Sequence, residues 1–424
     1  MSLIFQTHFS GGIILRYFIV LSAVLVIAVL ALATLTAPNR AALNAESKAW
    51  EEFHPLHYAS YLKNEQVFSD RHPEYPPKLY SYVDHYPGLQ IIWDGIAFSK
   101  DYNKPRGHVW SVVDTEASLR LKPGAVCYAC KSAVAANLYL DDIAGWETVS
   151  WDEAAASGDF SNPVGCIDCH DPLSHERRIS RTFLTDALSE QEIDQDFIEN
   201  NFKSLLCAQC HVEYYFKPGG SLEVTLPWDN GFSSEDILYY YENYVMPDGT
   251  VGFTDFHNPT AAVDLIKIQH PEFEMFKAGG TNPHDRIGMS CVDCHMPMMP
   301  QNSVEIRSHW WTSPLRHVEE SCSSCHTNTA QIQAQTKAIQ NEIKEKQGAI
   351  LELLAQAGLA IQDAELEGVD SLLLEEARGY FQKAVFYWDF VAAENSYGFH
   401  NPTEARKAFD QSKEYALQIL DLFN

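Results

Sequence analysis

The chain has 424 residues, enough to bury one large hydrophobic core or two. It carries 57 Asp and Glu residues against 30 Lys and Arg residues, a formal net charge of -27 at pH 7. A chain this acidic repels the phosphate backbone, so we expect no nucleic-acid partner. If the substrate is an anion, a local positive site has to outweigh the charge of the whole molecule.

Residues 1–37 contain an apolar run that is typical of an export signal. The stretch Tyr17–Thr36 is long enough to span a bilayer, which favours an uncleaved signal-anchor. Small residues at Ala31, Ala33 and Ala37 also suit a cleaved signal peptide, and both alternatives stay open. Either one places residues 38–424 outside the cytoplasm, so we expect a protein on the periplasmic side of a bacterial membrane, anchored or secreted.

The sequence after the signal predicts a mainly α fold with little β structure. Residues 184–206 have apolar side chains at helical spacing and predict one amphipathic helix, whereas Ser221–Trp228 alternates apolar and polar residues and predicts a short strand. Ser233 and Asp236 predict a capping box at the start of another helix.

Residues 328–424 predict long C-terminal helices. Six apolar residues in this region follow a 7-4-7-4-7 spacing and form one seam of a long helix: Ile332, Ile339, Ile343, Ile350, Leu354 and Ile361. Two further helices are predicted over 370–392 and 403–422. The seam suits either a helical cap over the rest of the chain or the interface of a homodimer.

All ten cysteines fall in five C-x-x-C pairs, and four of the pairs are followed directly by histidine. C-x-x-C-H is the attachment signature of c-type haem, in which two thioethers hold the porphyrin and the histidine ligates iron. The motifs are Cys127-Cys130-Lys131, Cys166-Cys169-His170, Cys207-Cys210-His211, Cys291-Cys294-His295 and Cys322-Cys325-His326. Because no cysteine is left over, five haems c are favoured over zinc sites or disulfides, and residues 38–424 are predicted to form one pentahaem catalytic domain.

Lys131 stands where the other four motifs have a proximal histidine. An ammonium group has no lone pair, so the lysine must lose a proton before it ligates iron. A different ligand at one haem of five predicts that this haem is the site of chemistry and that the other four transfer electrons.

The motif set closely resembles that of the pentahaem, ammonia-forming cytochrome c nitrite reductases. Beside the single C-x-x-C-K, three stretches carry the resemblance: Asn103-Lys-Pro-Arg106-Gly107-His108, Cys210-His211-Val-Glu213-Tyr214-Tyr215-Phe216 and Lys267-Ile-Gln269-His270-Pro271. The likeness extends from about residue 50 to the C-terminus. It implies six-electron reduction of nitrite to ammonium, with hydroxylamine and sulfite as possible side substrates.

The resemblance also implies the distal ligands and the catalytic residues. His108 would serve the haem at Cys207/Cys210, His309 that at Cys166/Cys169, His284 that at Cys322/Cys325 and His400 that at Cys291/Cys294. Beside Lys131, the implied catalytic residues are Arg120, which would hold nitrite, Tyr214, which would donate a hydrogen bond or hydrogen atom, and His270, which would bond the departing oxygen and deliver protons.

The family further implies calcium, with Glu213, Tyr214, Lys267 and Gln269 as ligands, all of them through oxygen. It implies a homodimer and, as electron donor, a membrane quinol-oxidising multihaem cytochrome. Two alternatives stay open from the sequence. One is an electron-transfer cytochrome without a substrate, which Lys131 opposes, and the other is a related multihaem reductase of sulfur oxyanions.

Overall fold

The computed structural model describes residues 45–66 and 80–423, so the predicted signal-anchor or signal peptide lies outside the described residues. The described part of the chain is mostly helical, which confirms the predicted fold class. Its α-helices are Pro55–Tyr61, Tyr82–His85, Leu89–Ile92, Ser111–Ala117, Val134–Leu140, Trp151–Ser157, Cys166–Cys169, Thr182–Glu190, Gln195–Ala208, Ser234–Asn243, Glu272–Lys277, Pro283–Arg286, Cys291–His295, Val318–Cys322, Thr329–Leu366, Ser371–Ala392 and Pro402–Leu422. Short 3-10 helices are Ser47–Glu52, Leu62–Glu65, Ala97–Ser99, His108–Trp110, Ala125–Tyr128, Trp146–Thr148, Ala278–Gly280 and Pro314–Arg316.

The β structure of residues 45–66 and 80–423 consists of three small antiparallel pairs. They are Tyr215–Phe216 with Val224–Thr225, Phe256–Asn258 with Val263–Leu265, and Met298–Gln301 with Val304–Arg307. The strand predicted over Ser221–Trp228 is therefore present but shorter. None of the helices among the described residues is long and apolar enough to cross a membrane.

The single helix predicted over 184–206 is wrong, because the chain forms two helices there. Glu192 has a left-handed backbone (φ 51°), which a continuous α-helix does not allow, and it lies between Thr182–Glu190 and Gln195–Ala208. Asp194 then accepts a hydrogen bond from the Asp196 amide and caps the second helix. The capping box at Ser233 is confirmed and begins the helix Ser234–Asn243.

Three long helices close the C-terminal side of the molecule. The 38-residue helix Thr329–Leu366 packs against Ser371–Ala392 and Pro402–Leu422, and the two shorter helices agree with their predicted bounds. Four residues of the apolar seam are buried within the chain: Ile343, Ile350, Leu354 and Ile361. Ile332 and Ile339 line the internal cavity described below. The seam thus serves the chain's own interior.

Gly358 explains how the first two of these helices approach each other closely. A Cβ atom at this position would lie 3.1 Å from the Phe381 ring, tighter than an ordinary contact. Phe381 is fully buried, so a larger residue at 358 would have to displace a packed ring.

Candidate functional site

The C-x-x-C motifs lie in helical turns or at the ends of helices, and the i, i+3 spacing places both thiols of a pair on one side. Two of the motifs have Asp as the residue before the second cysteine, and this carboxylate closes the start of its own helix. Asp168 accepts a hydrogen bond from the Gly165 amide at 2.6 Å, and Asp293 accepts one from the Ser290 amide at 2.9 Å. The motif sequence therefore encodes the turn as well as the thiols.

One cavity of ≈ 1880 Å³ connects all five motifs. All ten cysteines line it and all ten are free, so the structure contains no disulfide. Among residues 45–66 and 80–423, no group of three His, Cys, Asp or Glu side chains is arranged to hold a metal ion by itself. The thiols therefore face one large internal cavity, and they do not form compact zinc sites among the described residues.

Each histidine of a C-x-x-C-H motif faces the distal histidine expected for it. An imidazole nitrogen binds a transition metal at about 2 Å and the ring centre lies about 1 Å behind, so two rings on one iron have centres about 6 Å apart. The observed separations are 5.8 Å for His108 and His211, 6.2 Å for His170 and His309, 6.3 Å for His284 and His326, and 6.1 Å for His295 and His400. All four distances leave room for one metal atom.

Burial keeps several of these rings neutral. It lowers the pKa of His108 to about 3 and the pKa values of His295 and His309 to about 4. Neutral imidazole is the form that ligates a metal, so these histidines are already in the binding state near pH 7.

The predicted catalytic residues share the wall of this cavity with the first motif. Lys131, Arg120, Tyr214 and His270 all line the cavity. The Arg120 guanidinium lies 4.5 Å from the centre of the Phe98 ring, and its Nε donates to Ser118 Oγ at 3.1 Å. A cation and a phenol are therefore available beside the lysine that replaces a proximal histidine.

His270 is buried in the same wall, and burial together with the Lys131 charge lowers its pKa to about 3. Its Nδ1 is buried and has no hydrogen-bond partner among the described residues. The ring is therefore uncharged near neutral pH and is suited to hydrogen bonding.

The four residues expected at calcium lie together behind the catalytic wall. Glu213 is fully buried, and its carboxylate accepts hydrogen bonds from the Tyr241 hydroxyl at 2.8 Å and the Gln269 amide at 2.6 Å. The Gln269 side chain reaches the Lys267 carbonyl at 2.9 Å. Tyr214 follows Glu213 directly, so the segments that carry Tyr214 and His270 are joined at this point.

This cluster is short of positive charge. Burial raises the pKa of Glu213 well above its ordinary value, that of Glu274 to about 8 and that of Asp255 to about 7. The Glu213 carboxylate and the neighbouring carbonyl oxygens are hard oxygen donors, the ligand type that suits a hard cation. The residues present therefore fit calcium.

The Lys267 ammonium pairs with Asp389 and not with Glu213. Its ammonium is 2.8 Å and 3.0 Å from the two Asp389 oxygens, and the side chains are 2% and 0% exposed. Asp389 also accepts a hydrogen bond from the Ile268 amide at 3.0 Å. This pair fixes the segment before His270 to the helix Ser371–Ala392.

Sequence reasoning missed two residues that hold neighbouring motifs together. Arg181 is fully buried, pairs with Asp168 and donates to the Ala129 carbonyl inside the first motif at 2.8 Å. Gln209, inside the third motif, donates to the Asp168 carbonyl at 2.9 Å and accepts from the Arg181 amide at 3.3 Å. An arginine outside every motif gives no signal of this role in the sequence.

Comparison with known proteins gives a consistent match over nearly the whole chain. The family model for cytochrome c552 matches residues 46–420. A cytochrome c-552 of Bacteroides fragilis is 32% identical over 348 residues, covering 79% of this chain and 68% of that protein. A cytochrome c nitrite reductase subunit NrfA of Nitratidesulfovibrio vulgaris is 31% identical over 411 residues, covering 89% and 78% of the two chains.

A solved structure shares the fold. It is the catalytic subunit of cytochrome c nitrite reductase from Desulfovibrio desulfuricans, described with two calcium sites. The superposition has a TM-score of 0.81 at 29% identity and covers 91% of this chain and 87% of that one.

Proposed function

Because this chain belongs to the cytochrome c552 family, as an oxidoreductase of the cytochrome c nitrite reductase type, we propose that it reduces nitrite to ammonium in six one-electron steps at a Lys131-ligated haem. Electrons would reach this haem through four haems with two axial histidines each. The observation that carries the proposal is the cavity, because all five motifs and all four facing histidines line it.

We propose that Cys127 and Cys130 bind the catalytic haem and that each C-x-x-C-H motif binds one further haem c. The distal ligands would be His108, His309, His284 and His400, in the pairs whose ring centres lie 5.8–6.3 Å apart. When bound, the haem irons supply the one-electron redox chemistry that protein side chains lack.

Arg120, Tyr214 and His270 would bind and orient the substrate on the open side of the catalytic haem. Arg120 would hold nitrite through a charge-assisted hydrogen bond, which counters the repulsion by a chain of net charge -27. Burial raises the pKa of Tyr214 well above its usual range, so its hydroxyl stays a donor. His270, uncharged, would donate or accept a hydrogen bond at the departing oxygen.

Calcium would bind through Glu213, Gln269 and the carbonyl oxygens of Tyr214 and Lys267. The ion would supply the charge that the buried carboxyls lack and would fix the two catalytic segments relative to each other. The buried pair of Lys267 and Asp389 supports this assignment, because it engages the Lys267 ammonium with Asp389 rather than with the Glu213 carboxylate.

The finer assignments about partners follow from the same proposal. The electron donor would be a membrane quinol-oxidising multihaem cytochrome, and the enzyme would act as a homodimer on the periplasmic side of the membrane, anchored or secreted. Hydroxylamine and sulfite would be side substrates.

Mass spectrometry of peptides and of the intact holoprotein tests the haem assignment, and turnover with three substrates tests the reaction. We expect five covalent haems and faster turnover of nitrite than of sulfite. Full haem content without turnover of any substrate would favour an electron-transfer cytochrome, and a preference for sulfite would favour a reductase of sulfur oxyanions.

A further inference from the structure

Two of the proposed axial histidines lie beside buried glutamates. His400 Nδ1 is 2.6 Å from Glu394 Oε1, and His211 Nδ1 is 3.6 Å from Glu272 Oε1. The Glu394 side chain is 0% exposed and that of Glu272 is 8% exposed. Because each carboxylate approaches Nδ1, the other ring nitrogen is left free for iron.

Three other proposed axial histidines use backbone carbonyls at the same ring atom. His170 Nδ1 lies 2.9 Å from the His175 carbonyl, and His295 Nδ1 lies 3.1 Å from the Thr312 carbonyl. His309 Nδ1 lies 3.0 Å from a carbonyl as well. Four haems with two axial histidines each make eight proposed axial histidines. Within the described residues, Glu272 and Glu394 are the carboxylates within ion-pair distance of any of them.

Both carboxylates depend on one short segment after the helix Ser371–Ala392. Glu394 accepts hydrogen bonds from the Ser396 amide and hydroxyl, both at 2.8 Å, and from the Gly398 amide at 3.2 Å. The next residue, Asn395, donates its side-chain amide to Glu272. Adjacent residues thus orient the carboxylates beside the ligands of two different haems.

A carboxylate charge close to Nδ1 makes a ligated imidazole a stronger electron donor than a neutral carbonyl does. Stronger donation stabilises the ferric state more than the ferrous state and lowers the reduction potential. The third motif lies beside the first, since the Cys130 thiol interacts with that of Cys210, and the fourth motif lies beside the third, since the Cys207 thiol interacts with that of Cys291.

We propose that these two glutamates lower the reduction potentials of the haems that His400 and His211 ligate. The haem of His170 and His309, whose two ligands both have carbonyl partners, has a higher reduction potential. Asn395 is a positioning residue for Glu272. The inference rests on the haem ligation proposed above.

Redox potentiometry of the Glu394→Gln holoprotein tests the inference, with the visible spectrum and the low-spin EPR signals as readouts. The substitution removes the charge and keeps the shape. We expect one haem to move to higher potential by about a tenfold change in its ferric-to-ferrous equilibrium, or about 59 mV for one electron, with altered low-spin g values. Glu394→Asp, which keeps the charge, should restore part of the shift.

Glu404→Gln is the matched control. Glu404 is 3% exposed, accepts hydrogen bonds from the Ser234 amide and hydroxyl, and does not line the cavity that holds the haem motifs. The haem reduction potentials of the Glu404→Gln holoprotein should equal those of the parent protein. Asn395→Ala is an independent variant, in which the reduction potential of the haem ligated by His211 should rise.

The outcomes separate the inference from the proposed function. Unchanged potentials and g values in Glu394→Gln and Asn395→Ala, with full haem content by mass spectrometry, would overturn the inference alone. A parent protein without covalent haem would overturn the proposed function and the inference with it. If Glu394→Gln does not fold, an unshifted Asn395→Ala is sufficient to reject the role of this segment.

Discussion

Breaking the buried ion pair between Lys267 and Asp389 should strongly destabilise the protein. The ammonium lies 2.8 Å and 3.0 Å from the carboxylate oxygens, and both side chains are almost inaccessible to water. Removing one partner leaves a buried charge without compensation, which costs about 3–5 kcal/mol. In Asp389→Ala the Ile268 amide also loses its acceptor. We therefore expect the free energy of unfolding to fall by at least about 3 kcal/mol.

Urea unfolding of the holoprotein measures this loss, and a double-mutant cycle isolates the pair. Lys267→Met in the Asp389→Ala background removes the stranded charge, so the double variant should be more stable than the sum of the single effects predicts. Lys407→Ala is the control, because Lys407 and Glu235 form an ion pair with 43% and 47% exposed side chains, worth less than about 1 kcal/mol. The reasoning is refuted if Asp389→Ala costs no more than the control, or if the two single effects simply add.

Three further predictions concern the site. Arg120→Ala removes one charge-assisted contact, so productive nitrite binding should weaken by about 1.5–3 kcal/mol, or roughly 10- to 150-fold, in steady-state kinetics; parental kinetics would place the anion site elsewhere. Glu213→Ala should lose calcium by metal analysis and most nitrite turnover, yet keep its haem content and low-spin spectrum; lost calcium with undiminished activity would show that the ion does not organise the pocket. Expression without the machinery dedicated to C-x-x-C-K should give a four-haem, inactive product with Cys127 and Cys130 bare, and activity in that product would separate catalysis from Lys131.

The haem motifs and the long helices were readable from the sequence because each is a local pattern. The five C-x-x-C pairs identify the cysteines that are expected to attach haem. The spacing from Ile343 to Ile361 identifies a buried helix face. The capping box at Ser233 likewise depends on residues three positions apart. The break at Glu192 was missed because apolar residues continue at helical spacing on both sides of it.

The residue pairs that organise the site join distant parts of the chain, so no repeating pattern in the sequence predicts them. Lys267 and Asp389 are 122 residues apart, and Asn395 and Glu272 are 123 residues apart. The distal histidines needed a family resemblance, since spacing alone did not choose among the histidines outside the motifs. The low pKa of His270 also depends on burial, which only the folded chain shows.

The most direct test of the central claim is the ammonium yield of the purified holoprotein with nitrite and an artificial one-electron donor. We expect one ammonium per nitrite and six electrons consumed, with the activity abolished when Lys131 is replaced by Ala. A protein with five covalent haems that consumed no nitrite, or that released a less reduced nitrogen product, would contradict the account.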